Sequence, residues 1–341
     1  MVITIKDVAK KANVSPSTVS RVMANSTKIS SVTKRRVRKV MNELNYYPNL
    51  NARDLAKKTT KLIGIVMPIV QNKVIQDWFS SKLIRGINSI TNTEGYRFCI
   101  SITETEEEIF HEVKKMVEGR QIGGIILVFP NSNTKVIKYL CDKKFPFVLI
   151  GNSFEEKNKI TFVNNDNYTA AKEMTEYFIS LGHRDFAFIG DSFNSYATKT
   201  YLAGIRETMK LADILLSEEY VLLDCDPSRK NYQQIVEKLM ALKIPPTVVI
   251  TTNDLNGIGI LSALVEKGFC VPKEVAIASF NNTFLSEILN PELTVMDTNA
   301  EQLGYEAAKA LIEKMKKPGI IAKSIIVPHK LLKRQTCSSS L

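Results

Sequence analysis

Two hydrophobic rhythms divide the chain. Up to about residue 47 the apolar positions recur at helical spacing, and the stretches between them carry helix start and stop signals. Thr4-Ile5-Lys6-Asp7 has the hydroxyl and carboxylate of a capping box, which predicts a first helix running to Ala12. Asn13 tolerates the left-handed conformation that ends a helix sharply, and Val14 can pack back on the core. Ser15-Pro16 then reads as cap and first helical position of a second helix, running to Asn25 with Val19, Val22 and Met23 facing inward. A third helix is expected from Val32 to Asn45, where Val37, Val40, Met41 and Leu44 form one buried stripe. From Leu62 onward the pattern changes. LIGIVMP, RFCISI, GGIILVF, PFVLIG, DFAFIGD, TVVITTND and EVAIASF read as buried strands, with amphipathic segments such as Glu107–Gly119, Thr169–Leu181 and Asn299–Lys316 between them. Strand and helix in alternation predict an α/β fold with parallel sheets covered on both faces.

The outer faces of the first three helices differ from an ordinary solvated surface. Ser17, Thr18, Ser20 and Arg21 lie opposite the apolar face of the second helix, near its N-terminus. Short hydroxyls and one long bidentate donor suit base edges in a DNA major groove. The third helix carries Lys34, Arg35, Arg36, Arg38 and Lys39, available either to phosphates or to solvent. Beyond Pro48, NLNARDLAKKTTK has little apolar surface. It is either a flexible linker or a hinge helix that orders on DNA, with Leu55 as a minor-groove wedge.

Charge sharpens this division. The net charge is +11 over 341 residues; residues 1–61 hold 14 Lys or Arg against 3 Asp or Glu, while the remainder holds 32 of each. All the excess sits on the segment patterned for folding, as expected where that segment meets a polyanion and the body does not. The 44% hydrophobic content is spread without an apolar run of membrane-spanning length. MVITIKDVAKK lacks the features of a signal peptide, so the chain is expected in the cytoplasm and off the membrane. Five scattered cysteines, none in a C-x-x-C pair, predict free thiols and no metal site. Three isolated histidines (His111, His183, His329), with no G-x-x-x-x-G-K and no G-x-S-x-G, argue against an enzyme and against a cofactor.

TIKDVAKKANVSPSTVSRVMAN followed by ELNYYPNLNARDLA resembles the headpiece and hinge of the LacI/GalR family of bacterial regulators. The resemblance implies phosphate contacts at Thr4, Ser15, Ser20, Ser30 and Thr33, base reading at Pro16, Ser17 and Arg21, and hinge positions at Asn49, Ala52 and Leu55. Pro16 departs from family members with a donor there, so readout is expected to lean on Ser17, Thr18 and Arg21. The rest of the chain resembles the family's effector core, two Rossmann-like lobes of periplasmic-binding-protein type. That divides the chain into a headpiece (1–47), a hinge (48–61), a first lobe (62–160 with 290–320) and a second lobe (161–289 with 321–335).

Within the family, SFNN, VNNDNYTAAKEMTEYFI and VPHK look most like repressors of maltose operons in low-GC Gram-positive bacteria. A small neutral sugar needs amides and carboxylates for its hydroxyls and an aromatic platform. Asn253, Asp254 and Asn281 are candidates for the first, and Trp78 or Phe79 for the second, Trp78 being alternatively a core residue. Where many family members place an effector-binding arginine stands Tyr201, with Lys199 nearby; either Tyr201 stacks on a pyranose or the chain answers to another ligand. The expectation is a dimeric repressor on a near-palindromic operator, released by a maltose-like sugar. The alternative is a regulator whose DNA binding is strengthened by a corepressor, or by a phosphoprotein docking over residues 78–95 at Lys82 and Arg85. RQTCSSSL contains no heptad zipper, hence a dimer rather than a tetramer.

Overall fold

A computed structural model describes residues 3–46, 60–68, 78–103, 105–128, 134–151, 160–192 and 195–337. They belong to two compact units, Met1–Thr60 and Lys61–Leu341.

In the first unit, α1 (Ile5–Lys11), α2 (Pro16–Met23) and α3 (Ser31–Glu43) enclose Val8, Ala9, Ala12, Val19, Val22, Val37 and Val40. Each helix opens on a hydroxyl cap. The Thr4 amide donates to Asp7 Oδ2 at 2.8 Å, and the Ser15 and Ser30 hydroxyls each accept a backbone amide, of Thr18 and Thr33, at 3.2 Å. Each helix also closes in one way. Asn13, Asn25 and Asn45 have φ of 50°, 53° and 48°, and the next amide in each case reaches back to the carbonyl of Ala9, Arg21 or Met41. The left-handed asparagines explain why α2 and α3 stop at Met23 and Glu43, two residues short of the Asn25 and Asn45 expected from the apolar pattern.

The second unit contains two doubly wound sheets. The first is built from β1 (Leu62–Pro68), α4 (Trp78–Glu94), β2 (Arg97–Thr103), α5 (Glu106–Glu118), β3 (Gly124–Val128), α6 (Thr134–Asp142), β4 (Phe147–Ile150) and β5 (Phe162–Asn164). The second is built from α7 (Asn167–Ser180), β6 (Phe186–Ile189), α8 (Tyr196–Leu211), β7 (Val221–Leu222), α9 (Arg229–Met240), β8 (Val248–Thr251), α10 (Asp254–Glu266), β9 (Ala276–Phe280), α11 (Phe284–Ile288) and β10 (Thr294–Asp297). The chain then returns through α12 (Ala300–Lys316) and β11 (Ser324–Ile326) to the first lobe and ends on β12 (Lys330–Leu332) in the second. The strand orders are β11-β5-β4-β3-β1-β2 and β12-β10-β9-β8-β6-β7, parallel throughout except that β12 runs antiparallel to β10.

The crossovers therefore fall at about 165, 298 and 328, later than the expected 160, 290 and 321. Residues 161–164 and 324–326 lie in the first lobe and 290–297 in the second. The strands responsible, β5, β11 and β10, are only three or four residues long, too short to show a period. Helices α4 and α12 cross closely over the first sheet. A Cβ on Gly86 would stand 1.8 Å from the Glu301 carbonyl oxygen, and one on Gly304 2.0 Å from that of Leu83, so glycine on both helices sets their approach. Among the described residues no helix is long and apolar enough to cross a membrane.

Candidate DNA-binding face and ligand site

Thr4, Ser15 and Ser30 are the N-caps of α1, α2 and α3, and Thr33 is held against Ser30. Helix N-termini present amides and a positive dipole end, the local setting in which a phosphate oxygen is favoured. On α2, Pro16, Ser17, Ser20 and Arg21 are exposed, whereas Thr18 is half-buried with its hydroxyl 2.9 Å from that of Ser15. The Ser17 hydroxyl also lies 2.8 Å from that of Ser15, so Thr18 and Ser17 both belong partly to the cap, Ser17 remaining exposed beside Arg21. The basic face of α3 is divided too. Lys34 donates to the Asn25 carbonyl at 3.3 Å and Arg38 to the Asn25 side chain at 3.2 Å, holding the turn after α2, while Arg35, Arg36 and Lys39 are exposed. Asn49, Ala52 and Leu55 lie outside the described residues.

In the second unit, polar residues gather at the carboxyl ends of the second lobe's strands, where ligands bind such sheets. Asp191 follows β6, and its carboxylate accepts hydrogen bonds from Thr252 Oγ1 at 2.9 Å, Asn253 Nδ2 at 2.8 and 3.0 Å, and Asn256 Nδ2 at 3.0 Å. Tyr232 extends the network by donating to Asn256 Oδ1 at 2.9 Å. Burial pushes the Asp191 carboxyl above its ordinary range against the opposing effect of these donors. Asn253 also caps α10, accepting the Asn256 amide at 2.9 Å. Asn281, at the end of β9 with φ 102°, accepts from Thr298 Oγ1 at 3.2 Å.

The two lobes touch beside this network. The rings of Trp78, from α4, and Phe284, from α11, have centroids 5.8 Å apart, and both residues are about half exposed. Lys82 Nζ donates to the Asn282 carbonyl at 2.6 Å. Arg334, only 11% exposed, braces the same corner, donating to Asn282 Oδ1 at 2.8 Å, Ser286 Oγ at 3.1 Å and the Leu293 carbonyl at 3.0 Å. The segments directly after β1, β3 and β4 lie outside the described residues.

A family model for bacterial regulatory proteins of the lacI family matches residues 4–49, and one for a periplasmic binding protein-like domain matches residues 175–337. Over 340 residues the chain is 32% identical to the HTH-type transcriptional regulator MalR of Streptococcus pneumoniae, covering 98% of this chain and 100% of that one. The chain belongs to the LacI family. It is a DNA-binding transcriptional regulator. Among solved structures it is similar to a LacI transcriptional regulator from Bacillus cereus subsp. cytotoxis, with 54% identity, TM-score 0.78, and coverage of 82% of this chain and 99% of that one. It also shares its fold with a lac repressor dimer bound to operator and the anti-inducer ONPF, at 23% identity and TM-score 0.86 over 98% of this chain and 99% of that one.

Against the residues expected for a LacI-family effector site, the core brings some together and removes others. Asn253 joins Asp191 at the carboxyl end of the second sheet, Asn281 is bonded to Thr298, Trp78 meets Phe284 from the other lobe, and Phe79 is half-buried against the first lobe's core. Tyr201 is packed inside the second lobe. It is 4% exposed and stacked on Phe280 at 3.7 Å between centroids, and burial with the nearby Asp191 charge raises its phenol well above the usual range. Lys199, two positions away on α8, projects from an exposed side. Asp254 is likewise internal at 2% exposed, accepting from Ser279 Oγ and the Thr283 amide, so it ties α10 to the end of β9. Of the two residues suggested for a phosphoprotein, Lys82 is bonded to the Asn282 carbonyl, while Arg85 pairs with Glu301 on the surface with its side chain 67% exposed. Arg334 was not foreseen, whereas Asp191 stands directly after an expected strand, where such sheets bind ligands. Arg334 had no such signal, because its partners lie more than forty residues away.

Proposed function

We propose that this LacI-family regulator is a homodimeric repressor of a sugar-utilisation operon, that its effector is a maltose-like sugar, and that the sugar releases it from a near-palindromic operator. Its full-length similarity to MalR carries the reading. In it, Pro16, Ser17 and Arg21 meet base edges, with Thr18 contributing through the cap. Thr4, Ser15, Ser20, Ser30 and Thr33 hold phosphates, and Asn49, Ala52 and Leu55 form the hinge. The sugar sits where the lobes meet. Trp78 provides the apolar face, Asn281 and the Asp191–Asn253 pair provide acceptors and donors, and Phe79 supports Trp78 from the core side. The related lac repressor dimer was solved on operator, which supports a two-headed arrangement in which operator symmetry mirrors protein symmetry.

A gel-shift series on the operator upstream of a maltose-utilisation gene, with and without maltose, tests the reading. The expected result is weaker binding with maltose by about 5- to 150-fold, the range typical of allosteric coupling. An unchanged shift at saturating maltose removes the sugar, and a tighter one reverses the sign to that of a corepressor.

A further inference from the structure

The three crossovers converge on one side chain. Asn165, in the first crossover and 5% exposed, donates from its Nδ2 to the carbonyl of Thr298 at 2.8 Å, in the second crossover, and to the carbonyl of Val327 at 2.9 Å, in the third. A carboxamide has two N–H donors, and here each is assigned to a different strand of the hinge. Thr298 and Val327 are themselves 2% exposed, so little water reaches the carbonyls if Asn165 is absent. The backbone adds one link between the first and third crossovers, the Val327 amide to the Asn164 carbonyl at 2.8 Å.

The second crossover is also held from the ligand side. Thr298 Oγ1 donates to Asn281 Oδ1, and Asp297 accepts from Asn282 Nδ2 at 2.9 Å and from the Asn299 amide at 2.8 Å. Residue 298 is therefore bonded at once to the end of β9 and to Asn165. From this we infer that Asn165 is the pin of the interlobe hinge and the positioning residue that passes a change at Asn281 to all three crossovers. When a ligand draws on Asn281, the Thr298 hydroxyl is released or reoriented. The carbonyl of the same residue then moves against Asn165, which transmits the displacement to Val327, so the lobes turn as a unit. Without the pin, the crossovers respond separately and ligand occupancy no longer selects one lobe angle.

A purely static role predicts something different. Asn165 would then satisfy two buried carbonyls, and its loss would weaken folding while leaving the ligand response proportionate. The inference rests on the proposed sugar-released reading for one readout and not for the other. In full-length Asn165→Ala, hydrogen exchange of the backbone amides of 297–299, 326, 327 and 329 without any ligand is expected to speed up about 10-fold relative to wild type, with the sheets still protected. The ratio of operator affinities without and with maltose is expected to fall to about 2-fold or less from a wild-type ratio of about 5-fold or more, while maltose affinity measured by calorimetry remains within about 3-fold. Full-length Thr298→Val keeps the pinned carbonyl and removes only the link to Asn281. It is expected to retain wild-type exchange at the crossovers and to lose the same response, and it carries the test if Asn165→Ala does not fold. Wild-type exchange at the crossovers in Asn165→Ala, or an unchanged maltose ratio in Thr298→Val, overturns the inference. A wild-type protein indifferent to maltose overturns the sugar reading alone, and the exchange measurement then judges the pin.

Discussion

The headpiece and the core solve the placing of polar side chains on different length scales. In the headpiece, every cap is settled within three residues: Thr4 with Asp7, Ser15 with Thr18, Ser30 with Thr33. In the core, Asp191 is satisfied by residues 61 to 65 positions away, and Arg334 by residues more than forty positions away. The first region is a surface assembled from autonomous local motifs and the second a site assembled only once the lobe has folded. Removing the first therefore leaves the second intact, while the reverse does not follow for regulation. Deleting residues 1–60 is expected to abolish specific operator binding, a loss of about 1,000-fold or more in a gel shift. Maltose binding measured by calorimetry should persist. Specific binding retained by the truncated chain would break the division.

The next largest effect separates core from ligand wall. Tyr201→Ala removes one ring of the Tyr201–Phe280 stack, both rings being nearly inaccessible. Truncating a buried aromatic costs about 3–5 kcal/mol, so thermal unfolding of the core is expected to drop sharply while the headpiece is unaffected. If Tyr201 instead faced the ligand, stability would be spared and sugar affinity lost.

This contrast also explains how much could be read in advance. The headpiece was legible because its determinants are neighbours: hydroxyl, carboxylate, proline and asparagine at fixed offsets from a periodic apolar stripe. Even there, Lys34 and Arg38 read as available to phosphates or to solvent, and their attachment to Asn25 emerges only when α3 packs beside the turn after α2. In the core, seven apolar runs marked seven strands, but β5, β10 and β11 were too short to announce themselves, and that displaced the crossovers. Tyr201 and Asp254 were read by the positions they occupy in a motif. Whether such a residue points at a ligand or into the sheet depends on partners such as Phe280, Ser279 and Thr283, which no local pattern links to them.

A smaller effect is expected on the DNA-binding face. Arg21→Ala should cost about 1–3 kcal/mol of operator discrimination, since a bidentate guanidinium contact is worth that much. Arg35→Ala should weaken specific and non-specific DNA alike and flatten the salt dependence by about one counterion. Binding to operator and random duplex across a salt series separates the two. Equal losses on both duplexes for Arg21→Ala would move it from reader to phosphate contact.

The smallest effect has opposite signs in the two regions. Asp7 is held below 3.8 by its hydrogen bonds to Thr4. The stability it contributes is present above pH 3.8 and disappears as pH falls through the lower folded value. Asp191 is held above 3.8 by burial, so the stability linked to its proton is complete below pH 3.8 and disappears as pH rises through the higher folded value. Acidification should therefore loosen the headpiece through Asp7 while relieving the core at Asp191. Denaturant unfolding at a series of pH values, followed by headpiece methyl resonances and by the fluorescence of Trp78, the only tryptophan, resolves the two units. Asp7→Asn is expected to flatten the acid limb of the headpiece curve. Asp191→Asn is expected to remove a decline of core stability with rising pH, even though it also shifts the whole curve by disturbing the bonds from Thr252, Asn253 and Asn256. Parallel slopes for wild type and Asp191→Asn would mean that its four hydrogen bonds balance its burial, and that the ligand site presents a carboxylate that ionises in the ordinary range.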